Sequence, residues 1–229
     1  MVIGGFQKFS LADFPGKIAA IVFTRGCGLR CPYCHNPELV DPGRYARHIP
    51  VDEIINFLVR RRGRLQGIVV TGGEPTLHAD LPSFLGDVRR MGFATKLDTN
   101  GTNPSMLAEL LARGLLDYVA MDVKAPLAAY ERVTRAAVNC EDIRGSIQLI
   151  LRSGVAHEFR TTWLPSLLSI DELGEIAGMV KGCGLFVLQG FRPAAVLDEG
   201  FRDRPGPTVA DLDAARAMLE ATGLCVMVR

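Results

Sequence analysis

Residues 25–37 read RGCGLRCPYCHNP and hold Cys27, Cys31 and Cys34 in the spacing C-x3-C-x2-C. Three thiols within eight positions call for a shared ligand or a reaction. A structural zinc ion takes four closed ligands, and His35 or a distant residue would be the fourth. No second C-x2-C or H-x3-H knuckle accompanies them. A redox pair needs only two thiols. Iron–sulfur clusters are held by cysteine thiolates, normally four. Three thiolates therefore suit a four-iron cluster whose last iron stays open to a substrate or cofactor. The spacing favours that cluster, with zinc as the alternative.

The segment leading into this loop, KIAAIVFT (17–24), reads as a strand. Outward from it, strand and helix patterns alternate. VDEIINFLVRRR (51–62) has helical periodicity and GIVVTGG (67–73) is a buried strand. LPSFLGDVRRMG (81–92) is a helix, FATKLDTNG (93–101) a strand, PSMLAELLARG (104–114) a helix and LLDYVAMDVK (115–124) a strand. Residues 126–135 and 141–153 read as helices, and EFRTTWLP (158–165) as a strand. A helix over 169–182 has Ser169 as N-cap with Glu172 three residues on. GLFVLQGFRP (184–193) is a strand, TVADLDAARAMLEATG (208–223) a helix, and LCVMVR a last short strand. Repeated βα units imply a parallel sheet. A full eight-unit barrel typically takes about 250 residues, so the 229 residues fit an open, partial (β/α)6 barrel. No linker divides it. The expectation is one domain, 1–229, with a cysteine loop at 25–37 and a late loop at 190–207.

The composition is that of an ordinary globular chain, 48% hydrophobic and 22% charged. A net charge of +1 leaves no electrostatic footprint for a nucleic acid. No stretch approaches the roughly 20 apolar residues of a membrane span, and the amino end has no signal-peptide pattern. The cytoplasm is the expected compartment. Clustered cysteines in a reducing compartment bind metals or catalyse rather than pair as disulfides. Cys140, Cys183 and Cys225 are isolated and read as ordinary small residues, so a second cluster is not expected. His48, His78 and His157 are also isolated and read as structural or surface residues.

The unusual residues fall at equivalent places. Gly72-Gly73-Glu74-Pro75, Asp98-Thr99-Asn100-Gly101 and Asp122-Val123-Lys124 end successive strands, as the cysteine loop does. Barrel-like α/β folds place active sites at those carboxyl ends. A glycine pair lets backbone approach a ligand closely, although a plain turn has the same sequence. Asp98 and Asp122 also suit the caps of following helices.

The C-x3-C-x2-C run with Tyr33 before its third cysteine is similar to the signature of the radical S-adenosylmethionine (SAM) superfamily. Gly72-Gly73-Glu74-Pro75 resembles that superfamily's second motif. The resemblance implies a [4Fe–4S] cluster on Cys27, Cys31 and Cys34, with SAM chelating the open iron. Tyr33 would pack near adenine, and Gly72, Gly73, Glu74 and Asn100 would line the SAM site. Within the superfamily, Cys34-His35-Asn36-Pro37, Leu97-Asp98-Thr99-Asn100-Gly101 and Met121-Asp122-Val123-Lys124 resemble activases of glycyl-radical enzymes. The resemblance implies a monovalent cation held by Asp98, Thr99, Met121 and Asp122 beside the SAM carboxylate. Lys124 would neutralise that carboxylate, as a lysine point charge does for an anion. Asp13-Phe14-Pro15-Gly16-Lys17 resembles the segment that meets the partner's glycine loop, with Asp13 as acceptor; a turn before the first strand is the plain alternative. The texture of GGFQKFSLADFPGK, FTRGC…CPYCHNPELV and LQGFRP is similar to the activating proteins of anaerobic ribonucleoside-triphosphate reductases. Arg160, Gln189 and Arg192 are further candidates to close over SAM, and His35 a weaker site candidate.

The resemblance thus implies an enzyme that cleaves SAM and takes a glycine Cα hydrogen from a partner protein, fed by a flavodoxin or ferredoxin. A radical SAM enzyme acting on a small molecule, of the deazapurine synthase kind, would share the cluster and the glycine turn. A zinc-binding interaction module without catalysis is the reading from another class.

Overall fold

The computed structural model describes residues 1–193 and 195–229. Ala194, inside the expected late loop 190–207, lies outside the described residues. The chain divides into two compact units. The first comprises Met1–Cys27, Glu38–Thr99 and Ser105–Val119; the second comprises Gly28–Pro37, Asn100–Pro104 and Ala120–Arg229.

The first unit is built on strands β1 (Ile3–Ser10), β2 (Ala19–Thr24), β3 (Gly67–Gly72) and β4 (Ala94–Thr99), with helices α1 (Pro37–Val40), α2 (Val51–Arg61), α3 (Leu81–Arg90) and α4 (Pro104–Ala112) between them. β2 and β3 pair in parallel from Ala19↔Gly67 to Thr24↔Gly72, and β3 and β4 from Gly67↔Ala94 to Val70↔Leu97. Val22, Ile68, Val70 and Leu97 are fully buried. On the alternate positions, Phe14, Ala19, Ile21 and Val69 form a cluster with Phe23, Ala94 and Tyr118 packed against it. Both sets of side chains are buried, as expected of a parallel sheet. α2 has Asp52 and Glu53 in its first turn and Arg60 and Arg61 in its last, which suits the helix dipole. Its buried Ile54, Phe57 and Leu58 follow the i, i+3, i+4 spacing of one helix face.

β1 is an addition to the expected pattern. It runs antiparallel to β2, with Ile3 opposite Thr24 and Ser10 opposite Ala19. Gly4 and Gly5 hide it in the sequence, because glycine is depleted in strands. At the first of them a Cβ would stand 2.5 Å from Leu39 Cδ2, so any side chain there would push the end of Leu39 aside.

The second unit carries α5 (Tyr130–Thr134), α6 (Cys140–Arg152), β6 (Ala156–Trp163), α7 (Ile170–Met179), β7 (Phe186–Gly190), α8 (Val209–Ala221) and β8 (Val226–Val228). Strand β5 (Tyr118–Asp122) precedes them and is shared between the units at Val119. β6–β7 and β7–β8 pair in parallel. The Ser169–Glu172 capping box is present at α7, and a second, Thr208–Asp211, starts α8. The stretch expected as one helix over 126–135 is a 3-10 turn, Leu127–Ala129, followed by the short α5, which ends at Arg135. The sheet order follows the chain from β1 to β8. β2 to β7 each lead into a helix, so the expected (β/α)6 order is present in an open sheet. No helix among the described residues is long and apolar enough to cross a membrane.

Candidate active site

In the first unit the ends of β2, β3 and β4 are joined through backbone and buried polar groups. Gly26 lies at φ +94° and donates its N–H to Leu39 O at 2.7 Å. Its carbonyl accepts from Glu74 N–H at 2.7 Å, and Gly73 N–H donates to Thr24 O at 2.8 Å. A Cβ on Gly73 would stand 2.0 Å from Gly26 O. One on Gly72, at φ +113°, would stand 2.5 Å from Thr24 N. The glycine pair is therefore demanded by the chain immediately before Cys27, a closer constraint than an open approach to a ligand.

Glu74 is fully buried. Its Oε1 accepts from Thr76 N–H (3.1 Å), Thr76 Oγ1 (2.6 Å) and Thr99 Oγ1 (2.7 Å). The expectation placed Glu74 on SAM and Thr99 on a cation; in the structure the two side chains bind each other and join β3 to β4. Asp98 receives a hydrogen bond from Lys96 Nζ at 2.5 Å. Asp13 is exposed, in a turn where Ser10 Oγ donates to its carboxylate. Phe14 beside it packs on Ala19 and near Gly67, at the amino ends of the strands. Asp13 thus lies at the end of β2 opposite Cys27, about 20 Å away at roughly 3.3 Å per residue.

The second unit holds residues 28–37 of the cysteine loop from several sides. Arg30 N–H donates to Thr134 O (2.9 Å), Asp198 N–H donates to Pro32 O (3.0 Å), and Cys34 N–H donates to Cys31 O (3.0 Å). His35 Nε2 donates to Arg192 O at 3.0 Å, and its ring stacks on Phe191 with centroids 5.7 Å apart. That gives His35 and the backbone of Arg192 a joint role in closing the loop. Asp198 also accepts from Gly200 N–H (2.8 Å) and from Arg135 (2.5 Å).

A charged cluster lies behind the loop in the same unit. Asp122 accepts from Arg160 Nε at 2.7 Å and from Lys124 Nζ at 3.0 Å. Burial opposes its ionisation, but Arg160 and Lys124 overcome this and hold the carboxyl well below the usual range. Burial also opposes the charge on Lys124, yet Asp122, with Tyr33 and Cys31, holds it well above the usual lysine value. The Cys31 thiol is pushed up to about 11 by burial, with Lys124 pulling the other way. Lys124 N–H donates to Tyr130 Oη at 3.2 Å. Met121 is buried with its Cε 2.1 Å from where a Cβ on Gly101 would lie, and Gly101 turns at φ +77°. Asn100 Oδ1 accepts from Thr102 N–H and Oγ1, at 3.0 and 2.7 Å, and so shapes that turn. Gln189 lies one residue from the end of β7, opposite Thr162.

Sequence reasoning missed Lys96, the Arg135–Asp198 pair and Tyr130. Only Lys96 carried a readable signal: a lysine in a buried strand, on the same face as Asp98.

The model of the Radical SAM superfamily matches residues 21–180. A protein of Methanocaldococcus jannaschii, "Putative glycyl-radical enzyme activating enzyme MJ1227", is 35% identical over 219 residues, covering 92% of this chain and 88% of its own. "Pyruvate formate-lyase-activating enzyme" of Clostridium pasteurianum is 33% identical over 54% of each chain. The fold is similar to Streptococcus suis SuiB bound to precursor peptide SuiA, with a TM-score of 0.69 and 14% identity, over 91% of this chain and 48% of SuiB. The chain belongs to the radical SAM superfamily and, within it, to the glycyl-radical-enzyme activating proteins.

That family implies a [4Fe–4S] cluster and SAM. The residues fit both. Three thiols lie on one loop, none of the six cysteines is in a disulfide, and Lys124 acts on Cys31 as a nearby positive charge. The Tyr33 hydroxyl is buried, and among the described residues its hydrogen-bonding neighbour is the Cys31 thiol, so the ring stands against the cysteine loop. Among the described residues no three His, Cys, Asp or Glu side chains are gathered around a single-ion position.

Proposed function

We propose that this chain activates a glycyl-radical enzyme, with Cys27, Cys31 and Cys34 holding a [4Fe–4S] cluster that binds SAM through its open iron. When bound and reduced, the cluster supplies the electron that cleaves SAM to methionine and a 5′-deoxyadenosyl radical, which takes the partner's glycine Cα hydrogen. The observation that carries the reading is the cysteine loop itself, held through the backbone of Arg30 and Pro32 and the imidazole of His35. Lys124 and Arg160 place positive charge behind that loop, suited to an amino-acid carboxylate. Tyr33, buried beside the Cys31 thiol, offers its ring to the rest of the cofactor. Gly72, Gly73, Glu74 and Asn100 shape the strand-end turns that would bear on SAM.

The partner in this reading is an anaerobic ribonucleotide reductase, supported by the texture of the amino-terminal, cysteine-loop and LQGFRP segments. Its glycine loop would enter from the amino ends of the strands, past exposed Asp13, Phe9 and Leu11. The electron comes from a reduced flavodoxin or ferredoxin in the cytoplasm. A net charge of +1 supports leaving nucleic acid out of the reading.

The test is anaerobic reconstitution with iron and sulfide, reduction with SAM present, and assay of 5′-deoxyadenosine with the low-temperature electron spin resonance spectrum. A four-iron signal changed by SAM, with 5′-deoxyadenosine formed, is expected. Tight zinc and no iron uptake would refute the reading. Offering an anaerobic ribonucleotide reductase and a pyruvate formate-lyase separately then decides the partner by which acquires the glycyl radical.

A further inference from the structure

The family resemblance implies a monovalent cation on Asp98, Thr99, Met121 and Asp122, and the two carboxylates among them do not fit that role. We propose that the Lys96 ammonium is a built-in cation on Asp98, so that this chain binds SAM without recruiting a monovalent ion. The inference rests on the SAM-binding role proposed above for this end of the strands.

Lys96 and Asp98 are two residues apart on β4, so their side chains leave the same face. Lys96 is 2% exposed. Its Nζ lies 2.5 Å from Asp98 Oδ1 and 5.7 Å from the centroid of the Tyr118 ring. Val69, its register partner on β3, belongs to the apolar cluster of Phe14, Ala19 and Ile21. A buried ammonium needs a partner, and Asp98 and the ring face supply it. A potassium or sodium ion on Asp98 Oδ1 would have to displace Nζ and leave an ammonium buried without its carboxylate. The tether also favours the lysine, because a group attached to the same strand competes at a high effective concentration.

Asp122 gives the same answer independently, within its own unit. Its two carboxylate oxygens are taken by Arg160 at 2.7 Å and Lys124 at 3.0 Å. A third cation there would meet two fixed positive charges. Both carboxylates among the expected ligands therefore carry protein cations, and the sequence Lys96-Leu97-Asp98 provides at one position what an ion would otherwise provide.

The experiment uses the reconstituted full chain in potassium, sodium or tetramethylammonium chloride at equal ionic strength. It measures SAM affinity by equilibrium dialysis and the thermal midpoint. The wild type should bind SAM equally in all three salts and melt at the same temperature. Lys96→Ala should gain a cation requirement, with SAM binding about fivefold or more tighter in potassium or sodium than in tetramethylammonium. A saturable, potassium-specific tightening in the wild type that Asp98→Asn removes would overturn the proposal. So would a folded Lys96→Ala that binds SAM and ignores the ions. If Lys96→Ala does not fold, the wild-type comparison decides alone. Absence of SAM binding in every salt would defeat the functional reading, and the thermal midpoints would still decide this one.

Discussion

Cys31 is 7% exposed, and its burial has a chemical consequence. The thiolate is both the nucleophile and the metal ligand, and burial raises this thiol to about 11 against the pull of Lys124. At neutral pH the metal-free protein therefore holds Cys31 protonated. Its reactivity should climb about tenfold per pH unit until the pH passes that value. In the proposed function, iron would displace that proton, and cluster assembly would release it to solvent. Iodoacetamide mapping of the metal-free protein at pH 8 should find Cys31 much slower than exposed Cys225, with Cys31 protected altogether after assembly. Equal rates would show that the thiol is not buried as described. Gly73 makes a second prediction of this kind. An alanine there would place Cβ 2.0 Å from Gly26 O, backbone against backbone. Gly73→Ala should lose about 1–3 kcal/mol in a denaturant melt, the usual range for overpacking, and incorporate less iron. An unchanged melt would remove the contact. The cysteine spacing and the glycine pair stand out in the sequence because their patterns are local. The Glu74–Thr99 bond does not, because 25 residues separate the two.

Elements were legible where periodicity is strong. The i, i+3, i+4 stripe of α2 and the apolar runs of β2 and β3 identify themselves. The capping of α7 could be read from Ser169 and Glu172 alone. What escaped is the tertiary support of the cysteine loop. The Asp198–Arg135 bond spans 63 residues, and no pattern announces it. Arg135 itself closes α5 at φ +49°, among the described residues the one non-glycine with positive φ. Its guanidinium lies 5.4 Å from the Phe201 centroid while it holds Asp198, whose N–H grips Pro32 between Cys31 and Cys34. The Arg135 bond also holds the Asp198 carboxyl below its ordinary value. That contribution is present above the ordinary carboxylate pKa and is lost as pH falls through the lowered one. Arg135→Ala and Arg135→Gly should both shorten the lifetime of the cluster in air, read from its visible absorbance, because both release Asp198. They should differ in stability. Glycine relieves the left-handed backbone and alanine does not, so Arg135→Gly should be the more stable by about 1 kcal/mol in urea. Equal stability would mean that the turn relaxes when the arginine is lost.

At the scale of the molecule, repetition made the fold readable: six βα units in order, the first four with unusual residues at a strand's carboxyl end. The antiparallel β1 was not readable, since its glycines mask a strand, and it decides where Asp13 goes. By pairing Ser10 with Ala19, β1 delivers the Asp13 turn to the amino end of β2, while Cys27 follows the carboxyl end. Asp13 is therefore too far from the cysteines, at about 20 Å along the strand, to bear on SAM cleavage. It lies beside Phe9 and Leu11, which are 54% and 68% exposed, at a rim where a partner's loop would first be met. Ser10 Oγ donates to the Asp13 carboxylate, and an asparagine retains an oxygen to accept that bond. Asp13→Asn should therefore leave the turn, the cluster and SAM cleavage without partner at wild-type levels. It should lower the yield of glycyl radical on the partner, because one negative acceptor for backbone N–H groups is gone. A Phe9→Ser, Leu11→Ser double variant should act in the same direction, and more strongly if the rim binds apolar side chains. The two assays to compare are 5′-deoxyadenosine formation alone and the glycyl-radical signal with partner present. Parallel loss of both in Asp13→Asn would place Asp13 in the scaffold. Wild-type radical yield in every one of these variants would move partner docking away from the amino ends of the strands.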